Sequence, residues 1–392
     1  MSNEAVIIDA VRTPYGKRAG QLREWRPDSL LASTIAALVA RSGVSPGKVE
    51  DVIAGCVSQA GEQAANVGRL AALMSGLPPA VSGVALNRMC GSSQQATHFA
   101  AQAVAAGDMD YVIAGGVESM TRVPMFLDVT LGQSEFKGFE SLNPKLLELY
   151  PLVHQIESAE RIGTQWEISR QQCDAWSVES HRRASRAGAD APQPSILEVA
   201  GVDADGGAIT VHRDEGVRAV VDAARMAALK PIMRPMGEGV VTAANASQIS
   251  DGASAVLIAD RAVALADGLR PKARFLARVA CGSDPVLQLT GVIPATHKAL
   301  ARAGLSIADL DWVEINEAFA SVVLAWAREF TPDMDKVNPW GGAIAHGHPL
   351  GASGGGLLAK MLDGLAATGG TLGLQLMCIG HGMATATIVE RV

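Results

Sequence analysis

Strands and helices alternate along both ends of this 392-residue chain, and this alternation constrains the fold more than any other feature. Near the start, apolar runs at about residues 4–13, 49–57, 83–87 and 110–115 are typical of strands. Amphipathic stretches lie between them, and the helix after residue 90 is expected to end at Gly107. Strands that alternate with helices predict an α/β layer with a largely parallel sheet.

The alternation stops between about residues 119 and 242. A loop-like run opens this interval, punctuated by Pro124, Gly132, Gly138, Pro144 and Pro151. A helix capped by Ser169 and Gln172 is expected to run to Ala187, and two weak strand signals follow it. An interval this long is more typical of a segment that covers another part of the protein than of a simple connection.

The rhythm of strands and helices resumes after this interval. Strands are predicted at about residues 252–258, 273–279, 312–316, 371–377 and 384–390, with helices at 294–303, 318–330 and from 351 onward. The order of elements is similar to that of the first part of the chain. This similarity suggests an internal duplication.

Composition excludes several classes of protein. A hydrophobic content of 48% with 19% charged residues is typical of a folded globular protein, and a net charge of −7 argues against general nucleic-acid binding. No apolar run is long enough to cross a bilayer. Five cysteines without a framework spacing fit reduced thiols in a cytoplasm. The first residues do not resemble a secretory leader, nor the last a peroxisomal tail, so we expect neither.

Glycine surrounds histidine and cysteine in two stretches near the end of the chain. His346 and His348 lie within residues 338–356, and Cys378 and His381 lie within residues 377–383. Glycine lets a ligand approach the backbone, so this composition favours chemistry over simple tight turns. A zinc site made of these two pairs is a weaker alternative, because the spacing is not a standard one.

Cys90 lies where a strand meets a helix. The helix dipole and the free N–H groups at such a position favour the thiolate, and they can lower the pKa below the free value of about 8.5. Cys90 is therefore a candidate nucleophile, although a lone cysteine is as often structural. With it, His348 would supply a base, Cys378 an acid and Asn316 an oxyanion donor, unless Asn316 is only a helix cap.

Several of these stretches resemble motifs of the thiolase family. They are Leu-Asn-Arg-Met-Cys-Gly-Ser-Ser at residues 86–93, Ala-Gly-Gly-Val-Glu-Ser-Met at 114–120, Asn-Glu-Ala-Phe-Ala at 316–320, the glycine loop at 341–354, and Cys-Ile-Gly at 378–380. Weaker matches extend the resemblance over essentially the whole length. The family contains acetyl-CoA acetyltransferases and 3-ketoacyl-CoA thiolases.

The resemblance implies the thiolase fold: two similar α/β halves packed as α-β-α-β-α layers, with an inserted loop domain. It implies an N-terminal half at residues 1–118 and 243–268, an inserted covering domain at 119–242 that binds coenzyme A and substrate, and a C-terminal half at 269–392. Coenzyme A is then a substrate, with no covalently bound cofactor and no metal. A cytoplasmic homotetramer or homodimer without nucleic-acid partners or a membrane span is the accompanying expectation.

The resemblance also implies a role for each catalytic residue. Cys90 would become acylated after His348 removes its proton, and Cys378 would exchange a proton with the leaving or attacking carbon. Asn316 would hold a water that forms one oxyanion hole with His348, and the N–H groups of Cys90 and Gly380 would form the other. The reaction would be the thiolytic cleavage of a 3-ketoacyl-CoA by coenzyme A.

Coenzyme A contacts are implied at five further positions. They are Ser247, His154, Ala318, Phe319 and, for the adenosine end, Arg218. Arg218 is equally consistent with a solvated surface arginine, and Phe319 with a core residue.

Two positions depart from the family pattern. His381 stands where the family usually has glycine, and Gln155 follows His154 where short-chain biosynthetic members usually have methionine. The second departure favours an acyl chain longer or bulkier than acetoacetyl. The alternatives are a biosynthetic acetoacetyl-CoA thiolase, a decarboxylating ketoacyl synthase, a metal-dependent enzyme, and a catalytically silent thiolase-like subunit of a fatty-acid oxidation complex.

Overall fold

A computed structural model of the protein describes residues 3–131 and 142–392, so Gly132 and Gly138 of the predicted loop-like run lie outside the described residues. The strands are β1 (Ala5–Arg12), β2 (Gly16–Lys17), β3 (Asp51–Gly55), β4 (Ser82–Leu86), β5 (Tyr111–Ser119), β6 (Val199–Val202), β7 (Ala208–Val211), β8 (Ser250–Asp260), β9 (Ala273–Gly282), β10 (Trp312–Ile315), β11 (Leu372–Ile379) and β12 (Met383–Arg391).

The helices fall into three groups along the chain. Those of the first part are α1 (Pro27–Ser42), α2 (Val67–Met74) and α3 (Ser92–Ala106). The middle interval contains α4 (Leu127–Thr130), α5 (Pro144–Leu149), α6 (Gln155–Gln165), α7 (Arg170–Asp190) and α8 (Ala223–Ala227). The last part contains α9 (Arg261–Ala266), α10 (Val292–Ala303), α11 (Ala320–Phe330), α12 (Ala343–His346) and α13 (Ser353–Thr368).

One mixed sheet runs through the described chain in the order β10-β11-β12-β9-β1-β8-β5-β3-β4, with β2 paired to β8. Parallel pairing joins β3 to β4 and β5, and β10 to β11, whereas the remaining neighbours are antiparallel. The α/β prediction is confirmed, but the expectation of a largely parallel sheet is wrong. A tight connection such as that between β11 and β12 reverses the chain direction, and a parallel pair would need a long crossover.

The two halves of the sheet repeat one pattern. The order β3-β5-β8-β1 has one parallel pairing followed by two antiparallel ones, and β10-β11-β12-β9 has the same sequence of pairings. The halves join where Val6 and Ile7 of β1 pair with Arg274 and Ala273 of β9. This repetition is the duplication that the order of elements predicts.

Alternation along the strands separates three helix layers. In β5 and β8, Ile113 and Leu257 face a core shared with α1 and α2, whereas Val112 and Val256 face a core shared with α3 and α13. Helix α13 also packs against β10 and β12 through the second of these cores, and α10 and α11 cover the far side of that half. Because each sheet face buries apolar side chains against helices, the expected α-β-α-β-α layering results.

The middle interval carries five short to long helices and the antiparallel pair β6 and β7 within its described residues. Ser169 and Gln172 form the predicted capping box of α7. The helix ends at Asp190 rather than at Ala187, because a glycine inside an exposed helix costs only about 1 kcal/mol and does not stop it.

Of the helices within the described ranges, none combines the length and the apolar character that a membrane crossing needs.

Candidate active site

Asn316 and Cys378 meet at one edge of the C-terminal half of the sheet. Asn316 follows β10 and Cys378 lies near the end of the neighbouring parallel strand β11. The Asn316 N–H donates to the Leu376 carbonyl at 2.9 Å, which continues the strand pairing by one residue. Asn316 Nδ2 then lies 3.8 Å from Cys378 Sγ, and the thiol lies 3.8 Å from the Asn316 carbonyl oxygen. Both side chains are buried.

His348 lies on the loop between α12 and α13. Its Nδ1 is 2.6 Å from Ser353 Oγ, and that hydroxyl donates its own hydrogen to the Pro349 carbonyl at 2.8 Å. Ser353 Oγ therefore accepts from Nδ1–H, which leaves Nε2 of the neutral ring without a proton. Nε2 faces Asn316, whose Nδ2 is 3.4 Å away. The ring is held as a base directed into the site.

Cys90 stands at a sharp bend before α3. The preceding residue, Met89, has a left-handed backbone with φ 45°, and the Asn87 side chain accepts its N–H at 2.7 Å. A non-glycine residue in this conformation is strained, and such strain is often found at functional sites. The bend presents the Cys90 sulfur to the N–H groups of Cys90 itself and of Gly380.

Burial controls the protonation of these groups. It raises the pKa of Cys90 to about 12, an effect that nearby Cys378 increases and the two N–H groups only partly offset. Burial also raises the pKa of Cys378 to about 11 and lowers that of His348 to about 4. The expectation of a lowered Cys90 pKa is therefore wrong, because desolvation outweighs the helix N-terminus. Before substrate binds, Cys90 is therefore a thiol and His348 a neutral imidazole.

Glu118 forms buried hydrogen bonds to two loops. Its buried carboxylate accepts the N–H groups of Val57 at 2.9 Å, Ser58 at 3.1 Å and Gly351 at 2.9 Å, and the Gln63 amide at 2.8 Å. The carboxylate thus connects the loop after β3 with the loop that carries His348. The sequence motif at residues 114–120 contains Glu118, but nothing in its spacing identifies this role.

His346 does not join the site. Its Nε2 lies 3.2 Å from Lys360 Nζ, and Lys360 forms a buried ion pair with Glu314 at 2.9 Å. The four residues of the alternative zinc site are therefore not brought together. Across the described part of the chain, no group of three or more His, Cys, Asp and Glu side chains is arranged to hold a metal ion.

An open cleft leads to Cys90. Its walls combine apolar side chains with polar ones, among them Met89, Asp128, Leu142, Gln155, Gln288 and His381. His154 lies in the same wall and caps α6, because its Nδ1 accepts the Ile156 N–H at 3.2 Å. Of the residues expected to contact coenzyme A, His154 is the one that the structure brings to this cleft.

The other expected coenzyme A contacts lie elsewhere. Ala318 and Phe319 are 5% and 7% exposed and belong to the core of the C-terminal half. The Ser247 N–H donates to the Ala318 carbonyl at 2.9 Å, which places this serine beside that core. Arg218 is exposed, and its N–H donates to His181 Nδ1 at 3.2 Å. A role for these four residues in binding coenzyme A stays a prediction.

The site contains a buried thiol held against two N–H groups, a neutral imidazole, an amide and a second thiol. These groups are typical of an enzyme that transfers acyl groups through a thioester. Comparison with known proteins agrees with this class. Residues 5–262 match the family described as thiolase, N-terminal domain, and residues 269–391 match thiolase, C-terminal domain. The chain belongs to the thiolase family, as the sequence motifs predict, and is an acyltransferase.

Relatives match the chain over almost its full length. A steroid 3-ketoacyl-CoA thiolase of Mycobacterium tuberculosis is 46% identical, over 99% of this chain and 94% of the relative. A 3-ketoacyl-CoA thiolase of Vibrio cholerae is 42% identical, over 99% of this chain and 100% of its own. A beta-ketoadipyl-CoA thiolase of Acinetobacter baylyi is 41% identical, over 99% of both chains.

Proposed function

We propose that the protein degrades 3-ketoacyl-CoA, using coenzyme A to form acetyl-CoA and a shortened acyl-CoA through a thioester on Cys90. The observation that carries this proposal is the position of the Cys90 sulfur against the Gly380 N–H, with the second thiol nearby. The names of the relatives, which are thiolases of 3-ketoacyl-CoA, steroid 3-ketoacyl-CoA and beta-ketoadipyl-CoA, support the degradative direction.

In the first half-reaction, His348 Nε2 takes the Cys90 proton while the sulfur attacks the 3-keto carbon. The N–H groups of Cys90 and Gly380 stabilise the oxyanion that forms on that carbon. The bond between the second and third carbons then breaks, and acetyl-CoA leaves as an enolate. Cys378 donates a proton to the enolate carbon, and the Cys378 thiolate is left.

The protonated His348 assists the departure of the enolate. Nε2 now carries the proton from Cys90 and can donate a hydrogen bond to the enolate oxygen. Asn316 contributes to this oxyanion hole through a water, in line with the Asn316 Oδ1 atom being buried and without a hydrogen-bond partner within the described residues. The same imidazole thus serves as base and as electrophilic donor in one step.

In the second half-reaction, coenzyme A attacks the acyl group on Cys90. The coenzyme A thiol gives its proton to the Cys378 thiolate that the first half-reaction left, and its sulfur bonds to the acyl carbon. The bond to Cys90 then breaks and the shortened acyl-CoA leaves. The protonated His348 returns its proton to the Cys90 sulfur. This ping-pong sequence restores both thiols.

The interval at residues 119–242 would cover the cleft and bind coenzyme A, with the remaining chain divided into halves at residues 1–118 with 243–268 and at 269–392. His154 in the cleft wall supports contact between this interval and the pantetheine arm. Ser247 and Arg218, with Ala318 and Phe319, would complete the binding of coenzyme A. The expected setting is a cytoplasmic homotetramer or homodimer.

Intact-protein mass spectrometry tests the function. Protein is exposed briefly to a panel of 3-ketoacyl-CoAs without free coenzyme A, and the wild type should gain one acyl group that added coenzyme A removes. Cys90→Ala should gain none, whereas Cys281→Ala, which alters a half-buried free thiol outside the site, should behave as the wild type. Folded wild type that acquires no acyl group from any member would contradict the proposal and favour a silent subunit.

A further inference from the structure

The Gln155 side chain lies against the oxyanion-binding glycine. A Cβ atom added at Gly380 would lie 2.5 Å from Gln155 Nε2 and 2.9 Å from Met89 Sδ. Glycine at this position therefore lets the amide approach the loop whose N–H faces Cys90. Gln155 also lies in the wall of the Cys90 cleft, so an acyl group on the sulfur passes close to its amide.

This amide is free to bind a ligand. Gln155 is half-buried at the start of α6, and its side chain has no hydrogen-bond partner within the described residues. An amide carries two N–H donors and an acceptor oxygen, and leaving them unmade in a partly desolvated site is unfavourable. A polar group on the substrate would satisfy them.

His381 is held on the same side of the cleft. Its backbone is left-handed with φ 59°, a conformation that a glycine would adopt without strain. Gln288 holds the segment in place, because its Oε1 accepts the His381 N–H at 2.9 Å while its Nε2 donates to the Val153 carbonyl at 2.6 Å. One buried glutamine thus links the His381 loop to the segment that carries Gln155.

The charge of the described cleft wall disfavours one class of acyl group. Among the described residues of its wall there is no lysine or arginine, and Asp128 is present. The pKa of His381 is lowered by burial, so the imidazole is neutral near pH 7. Among the described wall residues, a carboxylate on the acyl chain would meet dipoles and the negative charge of Asp128 but no cation, which makes its burial against them unfavourable.

The shape of the cleft favours a large acyl group. Leu142 and His381 line both the Cys90 cleft and a neighbouring groove, whose other walls include Leu146, Tyr150 and Leu152. An acyl group that passes His381 can therefore continue over an apolar surface.

We propose that Gln155 and His381 determine specificity by selecting a bulky, uncharged acyl group. This group bears a keto or hydroxyl oxygen in addition to the 3-keto group. This selection rests on the proposed thiolase function. It separates the substrate from plain fatty acyl chains, which leave the amide unpaired, and from acyl chains that end in a carboxylate.

Three 3-ketoacyl-CoAs of matched carbon number test the selection. One carries an unsubstituted alicyclic group, the second a ring ketone and the third a carboxylate on the ring. We expect kcat/KM for the ketone to exceed that for each of the others by about tenfold, the value of one well-placed hydrogen bond. Gln155→Met should reduce the preference for ketone over unsubstituted ring about tenfold, and His381→Gly should reduce it several-fold. Gln165→Met, at the exposed far end of α6, is the matched control and should keep the wild-type preference.

Acyl-enzyme mass measured with the same compounds separates the possible failures. Acylation of Cys90 by all three with no preference, or with preference for the carboxylate, would overturn the selection and leave the thiolase function standing. An unchanged preference in both Gln155→Met and His381→Gly, with unaltered circular dichroism, would also overturn it. Absence of any acylation would overturn the function itself. Gln155→Glu, which preserves the side-chain shape, replaces the methionine variant if that variant does not fold, and it should discriminate further against the carboxylate.

Discussion

The tautomer of His348 is set by Ser353. Nδ1 of the imidazole lies 2.6 Å from a hydroxyl whose own hydrogen is given to the Pro349 carbonyl at 2.8 Å. The hydroxyl then accepts from the ring, and the Nδ2 donor of Asn316 faces the nitrogen of the neutral imidazole that carries no proton. Ser353 is thus a positioning residue for the proposed base, since it acts through His348 and not on the substrate.

Replacing Ser353 by alanine should lower kcat while KM changes little. Loss of this hydrogen bond lets the ring adopt the other tautomer, and a fall of about tenfold in kcat corresponds to the usual value of one hydrogen bond. Steady-state kinetics with a single 3-ketoacyl-CoA measures the effect. Ser321→Ala is the matched control, because Ser321 is also a buried serine that donates to a backbone carbonyl, that of Ala159 at 3.0 Å. Equal losses of kcat in the two variants would argue against a positioning role.

Acylation of Cys90 should remain efficient well below pH 6.5. His348 acts as a base only while it is neutral, and burial lowers its pKa to about 4. As the pH falls, the active form is therefore lost only on approach to pH 4 and not through the ordinary histidine range. Single-turnover acylation, followed between about pH 4.5 and 8 with circular dichroism as a check on folding, measures the acidic limb. An acidic limb centred near 6.5 in folded protein would refute the lowered pKa.

Asn316→Asp should move that acidic limb to higher pH. The substitution keeps the shape of the side chain but places a negative charge where Asn316 Nδ2 lies 3.4 Å from His348 Nε2. A nearby negative charge favours the imidazolium and raises the pKa of the histidine, so the neutral base is lost earlier as the pH falls. The rate at the plateau should also fall by about a hundredfold, because the added negative charge opposes the oxyanion that this hole stabilises. An acidic limb at the wild-type position would indicate that the two side chains do not interact.

Cys90 should react slowly with iodoacetamide at neutral pH. Its pKa is raised by burial, so the thiolate that reacts is scarce, and the rate should rise steadily as the pH passes about 8.5 without reaching a plateau. Peptide mass mapping distinguishes this site from Cys281, which is half-buried whereas the other four cysteines are buried. A plateau reached below the ordinary thiol pKa would restore the lowered pKa that the helix N-terminus alone predicts.

The sequence predicts the members of the site better than it predicts their electrostatics. Cys90, Asn316, His348 and Cys378 stand out because glycine and strand ends surround them, and the fold brings Asn316 within reach of His348 and Cys378. The pKa of Cys90 could not be predicted, because it depends on how deeply the bend at Met89 is buried, and burial is a property of the whole fold. The effect of the helix dipole is local and can be predicted from the sequence. Desolvation depends on the whole fold and cannot.

Contacts between segments distant in the sequence could not be predicted either. Gln288 lies in a stretch without any motif, yet it holds the His381 N–H and the Val153 carbonyl together. The mixture of parallel and antiparallel strands in the sheet could not be predicted for the same reason, because it depends on how distant segments pair. Alternating strands and helices identify an α/β layer, but they do not reveal that β8, β9 and β12 run antiparallel to their neighbours.

Glu118→Gln should destabilise the protein and slow acylation together. The Glu118 carboxylate accepts three backbone N–H groups and the Gln63 amide, and it is fully buried. Glutamine replaces one acceptor oxygen by an NH₂ donor, which leaves at least one buried N–H group unpaired at a cost of about 1–3 kcal/mol. Because one of these N–H groups belongs to Gly351, the loop that carries His348 should shift, and kcat should fall as well.

Urea unfolding of the Glu118→Gln variant gives the free energy of unfolding, and single-turnover acylation gives the rate. Glu24→Gln is the matched control, because the side chain of Glu24 is 69% exposed and the nearest atom of Arg23 is 3.7 Å away. That variant should differ from the wild type by no more than about 0.5 kcal/mol, as surface substitutions usually do. A Glu118→Gln protein with lower stability but the wild-type acylation rate would mean that the carboxylate supports the fold without positioning the base. The two measurements therefore separate the structural from the catalytic consequence of one buried charge.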